Sequence, residues 1–166
     1  MSIFHHVKKS ETCVQEGMIH FILSHSYVVF FIAVILGSIF HIYFNLYIFS
    51  GILYPYIGFM LIILGSLLIY ISQQASAGLK KTKEGGLTTA DFEQGPYKYS
   101  RNPTHIGMTV MTLGLGLLLN SFFMVFFILC ASVITKQIFL KEEEILLEQK
   151  YGQAYSDYKK KVGKWI

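Results

Sequence analysis

The chain has 166 residues, of which 53% are hydrophobic and only 14% charged. A soluble domain carries about 25% charged residues, so composition excludes an ordinary water-soluble fold, a disordered chain and a disulfide-rich secreted module. The net charge of +4 gathers in Lys159-Lys160-Lys161 and Lys164. Such a basic cluster beside apolar helices suits anionic lipid headgroups and not nucleic acid.

The missing charge is local. No Lys, Arg, Asp or Glu lies between Glu16 and Lys80, nor between Arg101 and Lys136. A spanning helix needs about 20 apolar residues, so the first stretch accommodates two. Ser50-Gly51 and Pro55 divide it into a helix from Tyr27 to Phe49 and another from Ile52 to Ile71. Met18 to Ser26, with His20 and His25, extends the first helix or lies in the interface. A polar loop is expected from Ser72 to Arg101. Asn120-Ser121 splits the second stretch into helices from Pro103 to Leu119 and from Phe122 to Leu140. Beyond these, Tyr151, Tyr155 and Tyr158 recur at helical spacing ahead of the lysines. That pattern describes an amphipathic helix along the headgroups, with Trp165 as an interfacial anchor. The predicted fold is all-α: a single domain, 1–166, forming an integral membrane bundle of about four transmembrane helices with a C-terminal amphipathic helix.

Charge also sets the expected topology. Every charged residue falls in the N-terminal tail, the 80–101 segment or the region from Lys136 onward, and neither hairpin turn carries one. The positive-inside rule then places both termini in the cytoplasm. Chemistry is expected on that face. The N-terminus does not read as a signal peptide, because its apolar run is too long and no small-residue cleavage site follows. Cys13 and Cys130 read as free thiols in a reducing compartment. His5-His6 has no carboxylate or Cys at metal-ligand spacing, so no metal is expected. His41 stands four residues before Asn45 within an apolar helix, either as a functional polar group or as an interhelical hydrogen-bonding pair.

Two polar clusters stand out. The first runs Gly95-Pro96-Tyr97-Lys98-Tyr99-Ser100-Arg101-Asn102-Pro103-Thr104-His105. Asn102 is a preferred N-cap and Pro103 a preferred first helical residue. A helix starting here points unpaired N–H groups and its positive dipole end at the charged face, a seat for a carboxylate or phosphate. Arg101 beside it can bind a carboxylate with two parallel hydrogen bonds. The plainer alternative has Arg101 snorkelling to headgroups, with Tyr97 and Tyr99 as interface aromatics. The second cluster is Lys141-Glu142-Glu143-Glu144-Ile145-Leu146-Leu147-Glu148. Helical residues succeed each other at about 100°, so three consecutive carboxylates cannot share a face. Glu143 aligns with Leu147 and Tyr151, and Glu144 with Glu148. Either the run is a solvated face or one or two of its glutamates reach the loop.

Together the clusters resemble the paired signatures of isoprenylcysteine carboxyl methyltransferases and their bacterial, phospholipid methyltransferase-like relatives. Gly95-Pro96-Tyr97-Lys98-Tyr99-Ser100-Arg101-Asn102-Pro103 with Gly107 is similar to G-P-Y/F-R-x-x-R-H/N-P-x-Y-x-G. Glu143-Glu144, Leu147, Tyr151-Gly152, Tyr155 and Tyr158 are similar to E-E-x-x-L-x-x-x-F/Y-G-x-x-Y-x-x-Y, and Val162-Gly163-Lys164-Trp165 to the family's basic-aromatic ending. The resemblance covers residues 95–166.

What the resemblance implies is a multi-pass enzyme that uses S-adenosylmethionine to methylate an apolar or lipidic acceptor. The acceptor would be an isoprenylcysteine-like carboxylate, a phospholipid amine or a small thiol. Arg101 and Glu144 are the carried-over catalytic candidates, and Tyr97, Arg101, Asn102, His105, Glu143 and Glu144 the cofactor-binding ones. Membrane lipids are the implied partners. Asn102 stands in place of the His of the better-known eukaryotic form, as is common in the bacterial branch, and a bacterial inner membrane is the expected location. The chain departs from the pattern at His105, where the family usually has Tyr, and at Thr89 and Asp91-Phe92, where many members have His before an apolar pair. These departures leave the acceptor open. Two other readings compete: a reductase-like membrane protein binding a nicotinamide cofactor, and a non-catalytic membrane scaffold.

Overall fold

The computed structural model describes residues 24–81 and 88–163. These form α1 (Ser24–Phe44), α2 (Tyr54–Lys81), α3 (Thr89–Phe92), a 3-10 turn (Gly95–Lys98), α4 (Pro103–Leu118), α5 (Phe122–Gln137), α6 (Phe139–Tyr151) and α7 (Gln153–Lys161). Among the described residues the only β pairing is an isolated bridge between Tyr47 and Ser121. Among the described residues three helices are long and apolar enough to cross a membrane: Ser24–Phe44, Tyr54–Gly78 and the near-continuous Phe122–Tyr151. The fourth expected span, α4, has 16 residues. At 1.5 Å per residue it reaches about 24 Å, short of the roughly 30 Å hydrocarbon core. The expectations for Cys13, His5-His6, His20, Lys164 and Trp165 lie outside the described residues.

Two boundaries differ from the sequence reading. α1 stops at Phe44, five residues before the expected end, because Asn45 turns into the left-handed region at φ 45°, a conformation that Asn tolerates. α2 continues ten residues past Ile71, so the first third of the expected polar loop is helical. Ser72 to Lys81 contains good helix formers, a single Gly and no Pro, and nothing in it interrupts a helix already begun. The last membrane helix also breaks, at Ile138, between α5 and α6.

At the uncharged end Asn120 joins the two turns. Its Oδ1 accepts the N–H groups of Ile48 and Phe49 at 3.1 and 3.0 Å, and its Nδ2 donates to the Phe49 carbonyl at 2.7 Å. Three backbone groups without helix or sheet partners are thereby satisfied. Ser121 caps α5 as an N-cap, accepting from the Met124 N–H at 3.3 Å.

The embedded packing rests on small residues. α2 and α4 run antiparallel, Gly58 facing Gly114 and Gly65 facing Gly107. A Cβ on Gly58 or Gly65 would come within 2.6 Å of α4 backbone. Each glycine pair is seven residues apart, the period of a left-handed helix pair, and small residues are what let membrane helices approach closely. α1 packs on α5 in the same way, with Gly37 against Met124. Phe30, Ala33, Met108, Met124, Ile128 and Ala131 form the apolar core between α1, α4 and α5. A second core lies at the charged end, where Phe92, Tyr155, Tyr158 and Val162 pack together.

Candidate active site

The charged end gathers α3, the 3-10 turn, the start of α4 and the helices α6 and α7. The sequence reading assigned Tyr155 and Tyr158 to the headgroup interface. The structure instead buries them, 4% and 2% exposed, because the short α3 supplies Phe92 as a partner. The Phe92 ring stacks on Tyr158 at 5.6 Å between centroids and meets Tyr155 and Tyr151 edge-on. The Tyr158 hydroxyl donates to the Tyr97 carbonyl at 2.7 Å, and the Tyr97 hydroxyl shares a 2.7 Å hydrogen bond with Ser76 on the extension of α2. The Arg101 N–H donates to the Gly163 carbonyl at 3.1 Å. The signature loop is thus held at three points. Tyr97, a candidate cofactor contact, spends its hydroxyl and its carbonyl on this scaffold.

Of the three consecutive glutamates, Glu142 is exposed while Glu143 and Glu144 turn inward, as the helical period allows. Arg101 Nη1 lies 2.9 Å from Glu144 Oε1, with the two side chains 11% and 10% exposed. Lys159 on α7 approaches Glu144 Oε2 at 3.8 Å and Glu148 Oε1 at 3.1 Å. Beside this pair, His105 Nε2 faces Glu143 Oε2 at 3.7 Å. Five of the six candidate residues (Arg101, Asn102, His105, Glu143 and Glu144) therefore form two neighbouring contacts across the seam between α4 and α6, or adjoin them in the chain.

Asn102 occupies the N-cap position of α4, and Pro103 the first helical one, as expected. Its side chain makes no capping bond, contrary to the expectation of a preferred N-cap. Its backbone N–H donates to Ser100 Oγ at 3.3 Å, and its Nδ2 is buried with no hydrogen-bond partner among the described residues. Arg101 Nε, both His105 ring nitrogens and Glu143 Oε2 are likewise buried without a hydrogen-bond partner among the described residues. Buried polar atoms are ordinarily paired, and a cluster of unused donors and acceptors at a helix N-terminus suits a zwitterionic ligand. The carboxylates of Glu144 and Glu143 reinforce burial in raising the Tyr155 phenol far above its usual range, with Arg101 opposing them. Burial, ahead of neighbouring Tyr97 and Glu93, raises Tyr158 as well. Both rings are neutral donors at any physiological pH.

Sequence reasoning passed over a hydroxyl. Ser38, Ser66, Ser72, Thr109, Thr112 and Ser132 each donate to a carbonyl one turn back in their own helix, the usual fate of Ser and Thr in apolar helices. Thr135, 1% exposed, makes no such bond. Its depth matches that of His105. Gly37 and Gly116 both abut Met124, and Ser26, His105 and Thr135 lie 11 residues from Gly37, Gly116 and Met124 respectively, about 16 Å toward the charged end. Nothing in a lone Thr on an apolar helix signals this.

A family model described as phospholipid methyltransferase matches residues 53–154. The match begins just before α2, takes in the whole signature loop and both glutamates, and ends beside Tyr155. No curated protein and no solved structure matches the chain. The match spans well over half of the sequence and carries all six candidate residues within it, so this membrane chain belongs to the phospholipid methyltransferase family.

Proposed function

We propose that the chain is an S-adenosylmethionine-dependent methyltransferase acting on a lipidic acceptor at the cytoplasmic face of its membrane. The observation that carries this reading is the meeting of two distant sequence signatures. Arg101 from one pairs with Glu144 from the other, and His105 faces Glu143, with all four side chains largely buried.

The residues present fit the cofactor. When bound, S-adenosylmethionine supplies a methyl group on a sulfonium whose thioether leaves without help from an acid. Arg101 and the Asn102 amide at the α4 N-terminus hold a carboxylate. Glu144 takes an ammonium or ribose hydroxyls. Tyr97 keeps the loop in place through Ser76 and Tyr158, and His105 with Glu143 completes the wall on the membrane side. Aligning donor and acceptor is the protein's main task, and positioning of this kind contributes roughly 7–11 kcal/mol. Exposed apolar side chains along α2, such as Phe59, Ile63 and Leu67, face lipid, and an acceptor with an apolar tail enters sideways. A phospholipid amine, a lipidated carboxylate and a small thiol all fit at this level.

Calorimetric titration of the purified protein with S-adenosylmethionine and with its demethylated product tests the reading. Saturable binding is expected, weakened about 10- to 100-fold by Arg101→Met or Glu144→Gln, the loss of one charged hydrogen bond. Absence of binding at millimolar ligand overturns it.

A further inference from the structure

We infer that Thr135 and His105, with Ser26 of α1 beside them, form a polar site one turn below the charged cluster. It takes a neutral group that both donates and accepts hydrogen bonds, a hydroxyl or a secondary amide, on the stem of the acceptor lipid. The inference rests on the methyltransferase reading above and deepens it. Ser26 and the rest of α1 lie outside the 53–154 match, so this wall of the site is the chain's own.

The site follows from three helical rows. Phe30, Met108 and Ala131 bring α1, α4 and α5 into the apolar core. One turn nearer the charged end the same helices carry Ser26, His105 and Thr135, which are 0%, 2% and 1% exposed. Three positions that would continue an apolar core are polar instead. Within a membrane bundle buried polar groups are costly and mark functional positions. The layer borders lipid at α1, where the next residue, Tyr27, is exposed.

The helices do not use this bonding capacity themselves. Thr109, Thr112 and Ser132 donate to a carbonyl one turn back, whereas Thr135 Oγ1 has no hydrogen-bond partner among the described residues. Both His105 ring nitrogens are buried in the same condition. Glu143 Oε2 stands 3.7 Å from Nε2, beyond hydrogen-bond reach, so that contact leaves the ring free to bond elsewhere.

Side-chain chemistry selects the occupant. A hydroxyl donates one hydrogen bond and accepts others, and a neutral imidazole donates at one nitrogen and accepts at the other. An ester carbonyl or an ether oxygen only accepts, and leaves the imidazole lone pair unanswered. A hydroxyl or a secondary amide answers both residues in either ring tautomer. Anions are held elsewhere, because Arg101 and Lys159 lie against Glu144 and Lys136 is exposed. Depth agrees with a stem. His105 follows Arg101 by four residues, so a lipid whose head lies against Arg101 and Glu144 brings the first atoms of its stem to His105 and Thr135.

The test reads lipid binding and needs no turnover. Full-length protein in detergent, without cofactor, is titrated with three lipids that share a phosphoethanolamine head, and bound lipid is counted by native mass spectrometry. Dioleoyl phosphatidylethanolamine carries only ester carbonyls in its stem, ceramide phosphoethanolamine an amide and a hydroxyl, and its 3-deoxy analogue the amide alone. The wild type is expected to bind the ceramide lipid about 3- to 10-fold more tightly than the diester, the scale of one neutral hydrogen bond. A deoxy analogue that matches the ceramide lipid assigns the preference to the amide, and one that matches the diester assigns it to the hydroxyl. Thr135→Val keeps the shape and removes the hydroxyl. It should bring the preference to within about twofold of unity with diester affinity unchanged, and Thr135→Ser should retain it. The inference is overturned if the wild type holds all three lipids equally or holds none. It is equally overturned if the preference survives Thr135→Val, or if that variant weakens all three lipids alike. Failure of the wild type to bind the demethylated cofactor in calorimetry is a separate result and sinks the methyltransferase reading itself.

Discussion

The two cores of this protein are built by opposite means. Between α1, α4 and α5, and along the α2–α4 pair, the structure relies on closeness: glycines at Gly37, Gly58, Gly65, Gly107 and Gly114 bring backbones together, and the side chains are apolar. In lipid there is little hydrophobic reward for associating helices, so packing of this kind does the work. At the charged end the order reverses. Phe92, Tyr155 and Tyr158 supply bulk, and the hydrogen bonds of Tyr158, Tyr97, Ser76 and Arg101 supply direction. The candidate site lies on the seam. Its arginine belongs to the hydrogen-bonded region and its histidine to the helix that the glycines hold in place.

That contrast can be broken from either side. Phe92→Ala is expected to have the largest effect, about 3–5 kcal/mol as for other buried Phe truncations. It should loosen the charged end and abolish cofactor binding while leaving detergent-resistant helix content intact, which circular dichroism and calorimetry would separate. A simultaneous loss of helix content would show that the two cores are one cooperative unit. Gly65→Leu should destabilise the embedded pair by about 1–3 kcal/mol, the usual penalty for overpacking, since its Cβ alone would meet the α4 backbone at 2.6 Å. Thermal unfolding in detergent would measure it, and an unchanged midpoint would mean that α2 and α4 are not so closely apposed.

The smallest effect comes with acid. The Asp91 carboxylate accepts from the Thr88 N–H and hydroxyl, both at 2.7 Å, and these bonds hold its pKa below the ordinary value. A depressed pKa stabilises the folded state above the unfolded value, near 3.9, and that contribution disappears as pH falls through the folded one. The protection of the Thr88 amide, relative to its intrinsic exchange rate at each pH, should therefore fall below about pH 4 before that of amides in α4 does.

Much of the embedded half was legible in the sequence because its constraints are local. The charge-free stretches located the helices, Pro103 marked the start of α4, and Asn120-Ser121 marked the second turn. The charged end was harder to read. Tyr155 and Tyr158 have the spacing and lysine neighbours of an interfacial helix, and only the distant Phe92 makes them interior. Ser72 to Lys81 looked like a loop because it is polar, yet polarity ends a membrane span without ending a helix. The period of the glutamate run allowed only one or two carboxylates to turn inward. Which two do so depended on where α6 restarts after Ile138, and no residue there announces a break.

The bond from the Arg101 N–H to the Gly163 carbonyl also has a bearing on synthesis. Ribosomes deliver the chain from its N-terminus, so the embedded helices and the signature loop emerge well before residue 163. Until that carbonyl arrives the loop lacks one of its three attachments, and until α6 and α7 fold the arginine lacks its glutamate. A nascent or prematurely terminated chain would insert into the membrane with its helices in order and its chemistry unassembled.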